Sequence, residues 1–243
     1  MTVGVIALGG ASAGPARAAQ NPAFAMANQA YSEGRFQEAV DGYQNLVKSG
    51  QGSANLFYDL GNAWFRLGNF GEAILNYERA LALDPHHPEA AANLALVRDE
   101  ARALELRRNA VERYIEAGTS TQYSIAASIA FWVALFGAAR LLFSRRRSAA
   151  LVSLIVLSAF VFAGTLFALY SLESGSKGKG LAIVTGKKIE ARLATADNAS
   201  SVLALPPGSE IKVLSQRGDW LYAALPNDLR GWIPATAAQQ VRM

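Results

Sequence analysis

Two apolar runs with an arginine triplet between them constrain this chain more than any other feature. From Tyr123 to Phe143 only Arg140 is charged, and from Ala149 to Tyr170 nothing is. A helix needs about 20 apolar residues to cross the hydrocarbon core, since only an internally hydrogen-bonded backbone strands no polar group in lipid. Residues 123–143 and 149–170 are therefore expected to be transmembrane helices, joined by the loop 144–148. The other reading is a buried hairpin of a soluble helical domain, but helices apolar on every face need a large protein around them. The positive-inside rule places Arg145, Arg146 and Arg147 in the cytoplasm, and Arg140 can snorkel to join them. Lys177, Lys179, Lys187 and Lys188 beyond the second run pull the other way, as do Arg107, Arg108 and Arg113 before the first.

The N-terminus votes independently. Residues 1–18 hold the short apolar stretch "VGVIALGGASAG", Pro15 and the Ala16-Arg17-Ala18 cleavage pattern. They read as a signal peptide, without the basic residues that usually precede the apolar stretch. Export would place residues 19–118 outside the cytoplasm, and two spans would return the C-terminal part to the same side. The chain has no cysteine, which rules out disulfides and thiolate metal sites. Residues 175–243 carry nine Lys and Arg against five Asp and Glu, too small an excess to point to nucleic acid.

Ahead of the membrane the sequence repeats itself. "ANQAYSEGRFQEAVDGYQNLV" from residue 27 overlays "GNAWFRLGNFGEAILNYERAL" from residue 61 at a constant offset of 34. Asn28 falls on Asn62, Tyr31 on Phe65, Gly34 on Gly68, Phe36 on Phe70 and Tyr43 on Tyr77. The second copy adds Phe57, Leu60, Gly61, Trp64, Ala73, Ala80 and Pro85 at the spacing of the tetratricopeptide repeat, which it resembles. In that family each unit is two antiparallel helices. Gly68 is expected to end the first helix in a left-handed turn, and Pro85 to stop the second. A third unit starts in register at Pro88, but Arg102 stands where the turn glycine belongs. Its apolar spacing at Leu94, Val97, Ala101, Leu104, Val111 and Ile115 predicts one long amphipathic helix capping a domain of residues 22–117.

Repeats of this kind stack into a curved array whose concave face commonly holds a peptide or a partner's helix. The resemblance makes Phe24, Asn28, Tyr31, Tyr58, Asn62, Phe65 and Arg66 the candidate partner-binding set. The basic residues that clamp a peptide carboxylate in some members are missing, with Phe24, Ala92 and Leu96 in their places. Two readings stay open: the aromatics pack between helices and the asparagines face water, or both meet a partner.

Residues 171–180, with "ESGSKGKG", read as a flexible linker that frees the C-terminal part from the membrane surface. Residues 181–243 alternate in short β-like runs separated by Pro207-Gly208, Arg217-Gly218 and Pro226-Asn227-Asp228, which predicts five or six strands in a small barrel. The run "LPPGSEIKVLSQRGDWLYAAL" with Gly231-Trp232-Ile233-Pro234 after it resembles the bacterial SH3 family. Its members bind peptides or cell-wall fragments on aromatic surfaces. Trp220 and Trp232 are the surface candidates here, and the core is their other possible place.

The whole order of parts, a signal peptide, a tetratricopeptide solenoid, a two-helix transmembrane hairpin and a small all-β SH3-like barrel, resembles the BatE-type proteins of bacterial aerotolerance operons. That resemblance implies a scaffold in the inner membrane, beside von Willebrand factor A-domain proteins and a MoxR-type ATPase. Its expected partners are membrane or periplasmic proteins and the lipid bilayer, with peptidoglycan as the alternative ligand of the barrel. No cofactor and no catalysis are expected: the two histidines, His86 and His87, sit in a turn, and no phosphate-binding loop or H-E-x-x-H pattern is present.

Overall fold

The computed structural model describes residues 22–143, 148–175 and 177–242. The proposed signal peptide and Arg145, Arg146 and Arg147 lie outside these residues. Five helices come first: α1 (Pro22–Ser32), α2 (Phe36–Lys48), α3 (Ala54–Arg66), α4 (Phe70–Leu83) and α5 (Pro88–Ala101). Their starts obey local chemistry. Ser53 and Asn69 accept backbone N–H groups at the heads of α3 and α4, and Pro88 opens α5 where its missing N–H is not needed. Gly34 and Gly68 both have positive φ, 80° and 71°, and each ends the first helix of its pair. Gly61 lets the paired helices touch, because a Cβ there would meet the Tyr77 ring at 2.7 Å.

The third unit departs from the long helix expected. Helix α5 stops at Arg102, 34 residues after Gly68, with φ 50° and the Ala103 N–H bonded to the Arg98 carbonyl in a Schellman-type closure. The arginine therefore adopts the glycine's left-handed conformation rather than extending the helix. No second helix comes directly after it. Residues 103–109 form an extended strap, and a separate short helix, α6 (Ala110–Glu116), starts from a capping box between Asn109 and Glu112.

The C-terminal part is one antiparallel sheet of seven strands among the described residues. They are β1 (Leu181–Val184), β2 (Ile189–Arg192), β3 (Ser201–Leu205), β4 (Glu210–Arg217), β5 (Trp220–Ala224), β6 (Arg230–Pro234) and β7 (Ala238–Gln240). The ladder runs β3-β2-β6-β5-β4-β1-β7. Irregularities at Ala191/Arg192 and Val213/Ser215 curl it around a core of Ala182, Val184, Leu205, Ile211 and Ile233. It does not close into the expected barrel, since β3 and β7 stand at opposite ends of the ladder. Edge strand β7 is instead covered by α4: Arg79 donates to the Gln240 carbonyl at 3.1 Å, and Gln239 donates to Glu72 at 2.8 Å.

The expected linker is also corrected. Residues 171–174 continue the second long helix, and the glycines after it fold into a tight turn. In that turn the Lys179 N–H bonds the Glu173 carbonyl at 2.8 Å, and the two side chains form an ion pair. Among the described residues of 171–180 none forms an extended spacer, and the sheet docks on the repeats. Strand β1 is buried on both faces. Ala182 and Val184 point into the sheet's own core, while Leu181 and Ile183 join Ile74, Leu75, Leu94 and Val97 in a second core shared with the helices. The packing is close: a Cβ on Gly71 would lie 2.9 Å from the backbone Cα of Thr185, and one on Gly208 would strike the Ile74 side chain.

Polar bonds fasten the same junction. The strap's Leu104 donates to Ser209 Oγ at 3.1 Å and accepts from the Glu210 N–H at 2.8 Å. The Glu210 side chain is 1% exposed. It accepts the Leu106 N–H and pairs with Arg98, which also meets Glu78 at 2.6 Å. Burial raises the Glu210 carboxyl above its usual range, and Arg98 works against that rise. The sheet thus stands where a second helix of the third unit would otherwise cover α5.

Two long helices complete the chain, α7 (Ser120–Phe143) and α8 (Ala149–Ser174), and both are long and apolar enough to cross a membrane. Only 17% and 6% of their most apolar stretches are buried, unlike core helices of a soluble domain. They pack on each other through small residues. A Cβ on Gly137 would press on Ile155 at 2.8 Å, with Ala127, Ala130, Ser158 and Ala168 along the same seam. Arg140 is exposed in the last turn of α7.

Candidate functional site

The first helices of the three units, α1, α3 and α5, line up along one side of the array. Asn28 on α1 and Asn62 on α3 occupy the same place in successive units and make the same bond: each Oδ1 accepts from a tyrosine hydroxyl, Tyr43 or Tyr77, at 2.7 Å. Burial pushes both phenols well above their usual pKa, so they stay protonated donors. Each asparagine thereby links the two helices of its unit.

A residue that the sequence pattern does not single out joins them. Asn93 on α5 donates to Asn62 Oδ1 at 3.0 Å and to the Tyr58 hydroxyl at 3.5 Å, continuing the polar row across the unit boundary. Its register offers no signal, because residue 59 in the second unit is an aspartate. Leu96 is more legible: it lies 34 residues beyond Asn62 and is 59% exposed.

The aromatic candidates are all half-buried and all engaged within the array. Phe24 lies 5.8 Å from Tyr43, Tyr31 edge-on to Phe36 at 5.4 Å, Phe65 by Phe70 at 6.1 Å, and Tyr58 between Tyr77 and His87. Arg66 stacks its guanidinium over the Phe36 ring at 4.5 Å and so ties α3 to the first unit. The structure places these side chains between helices, with their outer edges still open to the groove. Asp59, on the same helix as Tyr58, is half-buried, and burial lifts its pKa from 3.8 to about 6 against the pull of His87.

The surface formed is therefore amide and aromatic, with Asn28 and Leu96 its most open points. Asn28 keeps an amide NH2 free of any hydrogen bond among the described residues. Such a row can bond the carbonyls of an extended backbone and cover apolar side chains beside it.

Trp220 and Trp232 are outside the sheet's core. Each is half-buried on the face opposite Ala223 and Ile233, and Trp232 lies 5.0 Å from Tyr222 across the β5–β6 pair. Arg192 stands opposite Trp232 in the neighbouring strand, and Arg217 opposite Trp220.

A family model, the tetratricopeptide repeat, matches residues 54–87, which comprise α3, α4 and the turn to α5. This stretch is similar to a repeat whose role is contact between proteins, and that role carries no catalytic chemistry of its own. None of the curated proteins compared with the chain matches it.

Proposed function

We propose that the chain is an envelope scaffold: a hairpin in the inner membrane holds the repeat array and the sheet on the extracytoplasmic side, where the groove across α1, α3 and α5 captures protein partners. The observation that carries this reading is the row Asn28, Asn62 and Leu96, one position repeated at intervals of 34 on the first helix of each of three successive units, exposed at Asn28 and Leu96 and half-buried at Asn62. The lipid-compatible hairpin supports the membrane site, and the four arginines from 140 to 147 support a cytoplasmic tip. Von Willebrand factor A-domain proteins and a MoxR-type ATPase, implied by the BatE-type resemblance, are the partners to look for.

The groove is tested at Leu96, whose exposure leaves the fold indifferent to replacement. A photo-crosslinking residue at position 96, activated in native membranes, should capture a specific membrane or periplasmic protein, and Leu96→Glu should abolish pull-down of that protein with the unfolding midpoint unchanged. Equal pull-down by Leu96→Glu would count against the groove.

The outward aromatic face of the sheet favours a second reading, a cell-wall anchor in which Trp220, Tyr222 and Trp232 hold peptidoglycan. Retention of the full chain on sacculi, lost in a Trp220→Ala/Trp232→Ala variant, would replace the scaffold reading with this one.

A further inference from the structure

We infer that helix α6 is a second membrane-contacting element, lying in the lipid headgroup interface and taking anionic phospholipid as its partner; this rests on the reading of α7 and α8 as spans. Residues Ala110, Val111, Tyr114 and Ala117 recur at spacings of three and four and form one apolar stripe. Val111 is 55% and Tyr114 82% exposed, whereas Ile115 at the stripe's edge is buried. An apolar stripe on a soluble face would be left to water. Here the helix that carries it packs against a helix long and apolar enough to cross a membrane.

The placement is fixed from three directions. Tyr123, in the first turn of α7, donates its hydroxyl to the Ile115 carbonyl at 3.0 Å, and only Gly118 leaves room for that ring. Three residues separate the two helices, and α7 begins with a reciprocal cap in which Thr119 and Gln122 each accept the other's backbone N–H. On its other side α6 lies against the end of α8. Tyrosines mark the same level: Tyr123 on α7 and Tyr170, 68% exposed, one turn before the end of α8. Tyrosine belts sit at the boundary between acyl chains and water.

Charge completes the case for a lipid surface. Arg113 is exposed and forms no ion pair among the described residues, and Arg107 is 80% exposed with only a loose 3.7 Å contact to Asp228. Both flank the stripe, as cations do on interfacial helices facing lipid phosphates. The acids of α6 are turned elsewhere: Glu112 closes the capping box and Glu116 meets Arg108.

The cysteine-free chain allows single reporters. The full chain is reconstituted in vesicles of phosphatidylcholine and phosphatidylglycerol, about three to one. An environment-sensitive fluorophore is attached at Tyr114→Cys, Ala110→Cys, Phe136→Cys in the hairpin, or Glu38→Cys on α2. Labels at 114 and 110 should be quenched by lipids carrying a nitroxide near the headgroup, and quenched by aqueous iodide about fivefold less than the label at 38. Iodide quenching equal to that at 38, with the 136 label quenched by lipid, overturns the interfacial position of α6 alone. Shielding at 114 and 110 from both quenchers also overturns it, since protein would then cover the stripe. Failure of lipid to quench at 136 overturns the spanning hairpin as well.

Discussion

Helices α2 and α4 hold the same place in successive units, yet one is covered on one side and the other on two. Ala39 and Ala73, and Tyr43 and Tyr77, agree in identity and in role, while Glu38 and Glu72 agree in identity only, the first pairing with Arg35 in solvent and the second accepting from Gln239 in the junction. The outward residues do not: Gln37, Asp41, Gln44 and Asn45 in α2 become Gly71, Leu75, Glu78 and Arg79 in α4. Four residues of α2 are buried and eight of α4. The difference teaches that a repeat's inward face is fixed by its own stacking, while its outward face is free to carry a second interface. Here it carries the sheet. Departures from the repeat, read at the constant offset, mark the docking site more sharply than the matches do.

The strongest way to break the comparison is to give the second unit the first unit's residue. Leu75→Asp buries an unpaired carboxylate in the shared core and should cost about 3–5 kcal/mol in chemical unfolding of the full chain. The mirror change, Asp41→Leu, removes only a solvent-exposed acceptor of the Gln37 amide and should stay within about 0.5 kcal/mol. Equal effects would show that α4's outward face is not an interface.

Next in size is the polar side of the junction. Glu210→Ala removes a carboxylate that serves Arg98 and the Leu106 N–H, and should cost about 3 kcal/mol. Hydrogen exchange in strap residues 103–109 should rise with it, while exchange in α1 and α2 should not.

Asp59 sharpens the contrast in the opposite sense, since its counterpart in the first unit is Ala25. Its folded pKa of about 6 exceeds its ordinary 3.8, so the native state holds the proton more firmly between those values. Stability should then fall as pH rises from about 4 to about 6 and level off above. Asp59→Asn should flatten that slope and gain about 1–2 kcal/mol at pH 7, allowing for partial exposure. An unchanged pH profile of the unfolding midpoint would rule this out.

The smallest expected effect is at Arg102. Left-handed φ costs an L-residue about 1 kcal/mol, so Arg102→Gly should stabilise by about that amount, and Gly68→Ala should destabilise by as much. Both glycines at this register, Gly34 and Gly68, have no atom within 4 Å of a built Cβ, so the effect is conformational alone.

These cases separate what the sequence carries openly from what it does not. The 34-residue period, the turn glycines, the apolar runs and the strand alternation are local patterns, and each corresponds to an element of the structure. The break after Ala101 is hidden because an arginine in the left-handed region looks like helix interior, so the pattern reads as one long cap helix. The absence of a linker and of a closed barrel is hidden for a different reason: docking is a pairing of distant segments, which no local periodicity reports. One clue is present. The run "LAIV" at residues 181–184 is apolar at every position, as strands covered on both faces are. Gly71 and Gly208 look like helix and turn punctuation, and only the assembled junction shows the first as a point where backbones meet and the second as room for the Ile74 side chain. Among the groove residues, Asn28 and Asn62 stand out by register. Asn93, one helical step from that register, does not.

Crosslinking across the junction tests the central claim, that sheet and repeats form one body, most directly. A short bifunctional maleimide applied to a Glu72→Cys/Gln239→Cys variant should join the two positions intramolecularly in nearly every molecule, because those side chains touch at 2.8 Å. The first-unit equivalent, Glu38→Cys/Gln239→Cys, should not crosslink. Equal and weak crosslinking in both pairs would mean that the sheet moves freely on a tether, and would contradict the account.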